Sequence, residues 1–545
     1  MFSRKKIFVS ACVLAILLSF KQADEYFEVS KNLEIFSTVY KTVHSDYVDD
    51  VKPGELMKKG IDAMLSSLDP YTNFYTESQA EDAMIMRSGE YGGIGCRSVK
   101  RGDYIYVTEV FKGLPADKAG IMVGDKILEI NGKSFVGKTD EDVGDALRGA
   151  PNTKASLLVE RAGKSVPIEL TREEIKTKNV TFYGLINSET GYIRLDHFML
   201  GAGSEVKEAL LKLKAQGIKQ MVLDLRDNGG GLLHEAVNIV NVFVGMDELV
   251  VESRGRSAEA FKTYRTLDPA ADPHIPLVVL VNDHSASASE IVCGAIQDLD
   301  RGVVIGRNTF GKGLVQSVRP LAYRTQMKVT IAKYYIPSGR CIQLLDYGHR
   351  NPDGTPMIIP DSLKKRFKTR NGRTVLDGGG VRPDVVVTQP KESNIITSLI
   401  RSYLIFDFAS EYRATHDQIG DIRSFRVDDK LFEEFSRYVS TKTFSYLNAS
   451  EKALKDLRAK AREENYISEL QADMDRLESS INKAKMAEMQ LNKEAVKLLL
   501  QTEISRRYYY EDAVFLTSFQ NDPDVLKAVE VLRQSGDYNS ILGKK

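Results

Sequence analysis

The spacing of apolar residues changes character several times along the chain, and each change marks a segment of different architecture. Between residues 31 and 86, Leu33, Phe36, Val39, Tyr40 and Val43 recur at intervals of three and four, and a second such pattern runs from Leu56 to Leu68 until Asp69-Pro70 ends it. That period puts apolar side chains on one helix face and predicts a small helical segment. From residue 89 to 171 the pattern breaks into short apolar runs, at Ile105 to Val110, Ile127 to Ile130, Ala155 to Val159 and Val166 to Leu170, punctuated by glycine. Runs of that length between turn residues predict strands, and so a compact domain of mainly β character.

Between residues 172 and 390 the runs lose their polar positions. Met221-Val222-Leu223-Asp224-Leu225 and Pro276-Leu277-Val278-Val279-Leu280-Val281 each lead into a helical pattern. Strands without a polar face are buried on both sides, so alternation with helices predicts βαβ units around a parallel sheet. Residues 393–545 turn helical and charged, with apolar faces from Leu470, Met474, Leu477, Ile481 and Met489 to Leu500, and Asp522-Pro523 has the form of an N-cap followed by the first helical residue. The pattern as a whole predicts a multidomain α/β chain: a helical N-terminal segment, a β-rich domain, an α/β core with a parallel sheet, and a helical C-terminal extension.

Ahead of these elements, Arg4, Lys5 and Lys6 precede an apolar run from Ile7 to Leu18 that is too short to span a bilayer comfortably. Residues 1–23 are therefore expected to be an export signal or, since Phe20, Lys21 and Gln22 interrupt any small-x-small cleavage site, an uncleaved anchor. Val9-Ser10-Ala11-Cys12 resembles a lipoprotein box, but the apolar run continues past Cys12, where a lipidated cysteine would end it. The expected location is the periplasm or cell envelope, either free or held at the inner membrane.

Composition narrows the function classes. With 545 residues, at about 150 per domain, the chain has room for three or four domains. Its 75 basic and 75 acidic side chains cancel, which removes any whole-chain attraction for nucleic acid and argues against a nucleic-acid partner. Four cysteines, none in a CxxC pair, make neither a disulfide framework nor a cysteine-rich zinc site. If the signal is removed, Cys96, Cys293 and Cys341 remain, and free, packed thiols are expected.

Three segments carry chemistry. Ser285-Ala286-Ser287-Ala288-Ser289-Glu290 joins the run ending at Val281 to a helical pattern through Ile291, Ala295 and Leu299. A strand, a sharp turn and a helix can hold a serine exposed, with backbone N–H groups and the helix dipole facing a developing oxyanion. Ser287 and Glu290 also have capping-box spacing, which by itself would account for the segment. In Thr309-Phe310-Gly311-Lys312-Gly313-Leu314-Val315-Gln316, glycines allow close backbone approach and apolar neighbours can desolvate the lysine, favouring the neutral amine that accepts a serine proton. An ordinary lysine near about 10.4 is a poor base at neutral pH, and one tuned to roughly 7 or 8 is a good one. The uncharged Gln316 can orient that amine without stabilising its protonated form. An anion-binding or solvated lysine in a glycine turn is the plainer account of this segment alone. The third segment, Asp224-Leu225-Arg226-Asp227-Asn228-Gly229-Gly230-Gly231-Leu232, is another strand ending in glycines whose N–H groups can donate to an oxyanion, and neither GxGxxG nor GxxxxGK[ST] is present to support nucleotide binding.

Taken together, Ser285 to Glu290, Thr309 to Gly313 with Gln316, and Asn228 to Gly231 resemble the motifs of the C-terminal processing peptidases, or tail-specific proteases, over roughly residues 33–387. The resemblance implies Ser287 as nucleophile, Lys312 as general base, Gln316 as the residue that positions Lys312, and an oxyanion hole from the N–H groups of Ala288 and one glycine, Gly230 being the choice among three. It also implies a PDZ domain over residues 89–171. There Tyr91-Gly92-Gly93-Ile94-Gly95 matches the carboxylate-binding loop, followed by Pro115-Ala116, Ala119-Gly120-Ile121, Gly124-Asp125 and Ile130-Asn131-Gly132. Such a loop offers N–H donors from Gly92, Gly93, Ile94 and Gly95 to a terminal carboxylate while the peptide adds a strand to the sheet edge.

Other residues compete less well. His284 lies near Ser287, but Asp283, adjacent in sequence, is poorly placed to orient its ring, and a surface role is expected. His234-Glu235-Ala236-Val237-Asn238 starts like a zincin helix and has asparagine where the second histidine ligand belongs, so no metal is expected. The expectation is an exported serine endopeptidase, without a cofactor, acting on proteins with accessible C-terminal tails. A non-catalytic PDZ scaffold on a degenerate peptidase fold is the alternative, and an acyl-CoA-type enzyme would need a coenzyme site. The sequence leaves open an activating partner protein, self-association through the charged helices, and whether the PDZ segment restrains the site.

Overall fold

The computed structural model describes residues 26–80, 88–388, 393–442 and 449–544. The expected export segment lies outside the described residues. The chain divides into two compact units, residues 1–80 with 316–331, and residues 81–315 with 332–545.

In the first unit residues 26–46 are helical, and a second helix, Pro53–Ser66, begins with proline at a position whose N–H has no intrahelical acceptor. Asp69 then closes a turn by accepting the N–H groups of Tyr71 and Thr72 at 2.8 and 2.9 Å. The turn feeds a short strand, Asn73–Tyr75, which pairs antiparallel with Gln326 to Lys328. Residues 316–331 form a hairpin whose turn is closed by the Leu321 N–H on the Thr325 carbonyl.

The second unit begins with the β-rich domain. Its strands are antiparallel in the order Cys96–Arg101, Tyr104–Val110, Lys126–Ile130, Lys154–Arg161 and Lys164–Thr171. Ile105, Val107, Ile127, Val143 and Val159 are fully buried between this sheet and the helix Asp140–Leu147. Thr139 and Asp142 cap that helix reciprocally.

A six-stranded sheet follows, in the order Val180–Leu185, Thr190–Leu195, Gln220–Asp224, Leu277–Val281, Val303–Gly306 and Val385–Val386. Only the first pair is antiparallel, so the parallel sheet expected from the sequence carries one antiparallel edge strand. Successive strand residues point to opposite faces. Ile193, Met221, Leu223, Val279 and Val281 meet the helices Ala202–Ala215, Leu233–Phe243 and Ala288–Asp298 on one face. On the other, Tyr192, Val222, Val278, Leu280, Val303 and Ile305 meet Phe519, Val525, Ala528, Val531, Leu532 and Tyr538. The last helices of the chain, Asp512–Ser518, Pro523–Arg533 and Ser535–Ile541, are therefore the second layer of the core. Sequence reading had them only as part of a helical extension. Two further features were also not read from the sequence: a strand pair, Leu249–Gly255 with Lys262–Arg265, and two small hairpins between residues 345 and 376.

Cys96, Cys293 and Cys341 are free thiols, and burial pushes the Cys96 thiol up to about 12.

Phe519 is buried against the rings of Phe182 and Tyr192, whose centroids lie 6.0 and 4.8 Å away. Phe519→Ala is expected to cost about 3 kcal/mol and to lower the unfolding midpoint measured by circular dichroism. An unchanged midpoint would contradict this account of the layer.

Candidate active site

Strands Gln220–Asp224, Leu277–Val281 and Val303–Gly306 are parallel neighbours, so the loops that follow them emerge at one edge of the sheet. That edge is where α/β sheets place their reactive groups. The three loops contain the glycine run, the serine run and the lysine loop.

Ser287 joins its loop to the helix Ala288–Asp298 with φ 56° and ψ −112°. A non-glycine residue held there costs about 1–3 kcal/mol, a strain that persists only where the surroundings impose it. The neighbouring serines supply part of those surroundings. Ser285 donates from Oγ to the Leu225 carbonyl at 2.8 Å and accepts the Asn282 N–H at 2.9 Å, and Ser289 Oγ donates to the Asn228 carbonyl at 2.8 Å. Both are fully buried, whereas Ser287 is part-exposed. The flanking hydroxyls thus brace the turn, and the middle one faces outward.

Glu290 holds the site together. Its carboxylate is completely buried and accepts four hydrogen bonds. Oε2 takes the N–H of Ser287 at 2.8 Å and the N–H of Lys312 at 2.9 Å. Oε1 takes the Thr309 hydroxyl at 2.6 Å and the Gly311 N–H at 2.7 Å. One side chain therefore binds the backbone of the serine and that of the lysine on a single oxygen. Burial raises this carboxyl above its ordinary value, and the four donors work against the rise. The buried Tyr334 closes the other side, its hydroxyl lying within hydrogen-bond reach of the carbonyls of both Ser287 and Lys312.

The lysine loop is threaded so closely that its glycines are obligatory. Gly311 has φ 87°, and a Cβ there would lie 2.5 Å from Leu344 Cβ. Gly313 donates its N–H to Gln343 Oε1 at 2.7 Å and accepts the Tyr334 N–H at 2.9 Å. Lys312 itself is part-exposed.

The glycine run packs directly on the serine turn. Asn228 is buried, donates from Nδ2 to the Leu195 carbonyl at 2.7 Å, and through its own carbonyl accepts the Ala286 N–H at 3.0 Å. A Cβ on Gly230, whose φ is 94°, would lie 2.8 Å from both Ala288 N and Ser287 Cβ. Ala288 is the first helical residue, so its N–H has no intrahelical acceptor. The Gly230 N–H donates to Asn228 Oδ1 at 2.9 Å.

The other residues singled out in the sequence lie as follows. Gln316 is part-buried and donates from Nε2 to Thr330 Oγ1 at 3.3 Å. His284 is exposed. Glu235 is buried and accepts the N–H groups of Gly201 and Gly203 at 3.1 and 2.8 Å, at the start of the helix Ala202–Ala215. Gly92 and Gly93 lie in a strand, Glu90–Gly93, paired with Glu173–Lys176. Ile94 and Gly95 turn the chain into the edge strand Cys96–Arg101, and their carbonyls accept the N–H groups of Ala116 and Phe111 at 2.7 and 3.0 Å. Sequence reasoning missed Glu290 as more than a cap, and Tyr334 altogether. Capping spacing explains only one of the four bonds to Glu290, and nothing in sequence links Tyr334 to residues so far away.

Because Gly311 tolerates no Cβ, Gly311→Ala is expected to displace the lysine loop and abolish any activity of the centre, whereas Tyr334→Phe removes one hydrogen-bonding group and should lower it about tenfold, for a loss near 1.4 kcal/mol. Turnover measured for both variants beside their unfolding midpoints checks this, and full activity in Gly311→Ala would contradict it.

Comparison with known proteins places the chain in a family. The profile of peptidase family S41 matches residues 189–348, that of a PDZ domain matches residues 106–161, and that of a probable PDZ-protease C-terminal helical domain matches residues 395–532. The chain is 35% identical over 367 residues to a probable CtpA-like serine protease of Staphylococcus aureus, covering 67% of this chain and 66% of that protein's length. A photosystem II D1 C-terminal processing protease is similar in structure with a TM-score of 0.34 and 26% identity, over 66% of this chain and 94% of that one. A carboxy-terminal-processing protease of Bartonella bacilliformis is 34% identical over 368 residues, 66% of this chain and 82% of the relative. At that identity and coverage, this chain belongs to the carboxy-terminal-processing proteases of peptidase family S41.

Proposed function

We propose that the chain is an exported serine endopeptidase that recognises the C-terminal tails of proteins through its PDZ domain and cleaves them with Ser287, activated by Lys312. The observation that carries this reading is the Glu290 carboxylate, one oxygen of which accepts the N–H groups of both residues. Its other contacts tie down the loop around Lys312, so the relative position of the two backbones is fixed before substrate arrives.

In the proposed reaction the neutral Lys312 amine takes the Ser287 hydroxyl proton as Oγ attacks the scissile carbonyl carbon. Negative charge develops on the carbonyl oxygen, which the N–H of Ala288 and that of Gly230 receive. Gly230 lies against Ser287 Cβ and the Ala288 nitrogen, and its N–H turns from Asn228 Oδ1 toward the oxyanion. As the intermediate collapses, the C–N bond breaks and the Lys312 ammonium returns its proton to the leaving amine. Water, deprotonated by the same amine, then attacks the ester carbonyl carbon; as this intermediate collapses the bond to Ser287 Oγ breaks, and the Lys312 ammonium returns the proton to that oxygen, restoring the hydroxyl and the neutral amine. The residues supply both proton transfer and charge stabilisation, and this scheme calls on no cofactor.

Tail recognition is assigned to the edge strand Cys96–Arg101, which among the described residues pairs only with Tyr104–Val110 and packs against the helix Asp140–Leu147. A tail would add as a strand to that edge, its carboxylate meeting backbone N–H groups of Gly92, Gly93, Ile94 and Gly95.

With an unfolded reporter protein ending in an apolar tail as substrate, Ser287→Ala and Lys312→Ala are each expected to reduce cleavage by at least about 10³-fold without loss of fold. Cleavage by Ser287→Ala at the intact rate would refute the assignment, and tail binding without any cleavage by the intact protein would favour the scaffold. A tail peptide amidated at its C-terminus should bind at least about tenfold more weakly by fluorescence anisotropy, because the loop's N–H donors lose their charged acceptor. Equal binding would remove the carboxylate from the recognition scheme.

A further inference from the structure

The end of the strand that leads into the glycine run is held by the helix layer that the C-terminal region adds to the sheet. Arg226 lies two residues before Asn228, and its guanidinium joins carboxylates from two distant parts of the chain. One edge is taken by Asp224 of its own strand, with Nε at 3.0 Å from both carboxylate oxygens and Nη2 at 2.6 Å from Oδ2. The remaining donors reach the start of the C-terminal helix Pro523–Arg533. Nη1 lies 3.0 Å from Asp522 Oδ1 and 3.0 Å from Asp524 Oδ2, and Nη2 lies 2.8 Å from Asp522 Oδ2. Asp224 is fully buried; although burial opposes its charge, the Arg226 and Arg194 guanidiniums and the Tyr192 hydroxyl hold its carboxyl well below the usual range. Arg226 is thus anchored on one side by a permanent anion of the sheet, and its other side is filled by the helix.

We propose that Asp522 and Arg226 are positioning residues for the peptidase reaction, through which the C-terminal helix sets the glycine run against Ser287. The proposal rests on the reading of Ser287 as nucleophile and Gly230 as oxyanion donor. Three features carry it. The helix cannot drift, because Val525, Ala528, Val531 and Leu532 are buried on the sheet beneath it. The planar guanidinium makes paired contacts in one orientation only, so its direction fixes the strand end from which it projects. From that end the chain passes through Asp227, at φ 60°, to Asn228, which binds the serine turn through its carbonyl and Gly230 through Oδ1. A shift at Arg226 therefore reaches the glycine that faces Ser287 Cβ within four residues.

A helix-docking role and a positioning role make different demands on Asp522. It is also the N-cap of its helix, accepting the N–H groups of Asp524 and Val525 at 2.9 and 3.2 Å. Asparagine caps a helix as well as aspartate does but brings no charge to Arg226. In the full chain Asp522→Asn is accordingly expected to lower kcat about tenfold on the unfolded tailed reporter while leaving KM, tail-peptide binding and the unfolding midpoint unchanged, and Asp522→Glu should restore part of the loss. Arg226→Lys, which keeps the charge and loses the fork, should lower kcat at least as far. If Asp522→Asn unfolds at a lower temperature, the comparison is made on Arg226→Lys at a temperature where it remains folded. A kcat equal to that of the intact protein in both variants overturns the proposal. Ser287→Ala in the same assay separates the two readings: if it is inactive while Asp522→Asn is fully active, only the positioning proposal fails, and if it remains active the serine reading fails first.

Discussion

A single buried carboxylate organises the candidate site. Glu290 lies at the start of a helix and could have served only to cap it, yet three of its four hydrogen bonds go to a loop that begins nineteen residues later at Thr309. An anion in a protein interior is costly unless its lone pairs are filled, and here each oxygen takes two donors. The cost enforces the geometry, because displacement of either the serine turn or the lysine loop would leave that charge short of donors. The strained backbone at Ser287, the glycines around Lys312 and the Tyr334 hydroxyl are all consistent with this constraint. In the proposed mechanism proximity then comes from backbone contacts, leaving the Ser287 hydroxyl and the Lys312 amine to carry the chemistry.

A second constraint acts on the sheet. Strand Leu277–Val281 is buried along its whole length, so both faces need cover. The helices that alternate with the strands cover one face and the last helices of the chain cover the other. The C-terminal region also reaches the β-rich domain, where Asp407 binds Arg101 with both oxygens at 2.7 and 2.8 Å and Tyr510 donates its hydroxyl to Asp117. It is part of the scaffold that carries both the candidate site and the PDZ edge strand.

Much of this was legible in the sequence wherever one local pattern determined the outcome. The apolar runs ending at Asp224 and Val281, each followed by a helical period, marked the sheet edge on which Asn228 to Gly231 and Ser285 to Glu290 emerge. The glycines around Lys312 marked a closely threaded loop, and Asp522-Pro523 marked a helix start that the structure has. What was not legible depended on tertiary contact. Capping spacing shows where the Glu290 backbone lies but not where its second oxygen points, and Tyr334 sits in a strand whose sequence says nothing of the carbonyls above it. The second layer of the core was implied by the two-sided burial of Leu277 to Val281, but no periodicity tells which helices provide it. Arg226 and Asp522 are nearly three hundred residues apart, and only folding makes them partners.

The most direct test of the central claim is the rate at which Ser287 is acylated. A fluorophosphonate that forms a stable adduct with an activated serine, followed by intact-protein mass spectrometry, reads that rate independently of tail binding. Glu290→Gln keeps the side chain's shape but replaces one acceptor oxygen with a donor, so whichever way the amide turns it can hold the N–H groups of Ser287 and Lys312 or the Thr309 and Gly311 donors, and no longer ties both pairs together. If the carboxylate sets the pair, acylation of the folded variant falls about 100-fold relative to the intact protein, a loss near 2.7 kcal/mol. Acylation at the intact rate would contradict the account.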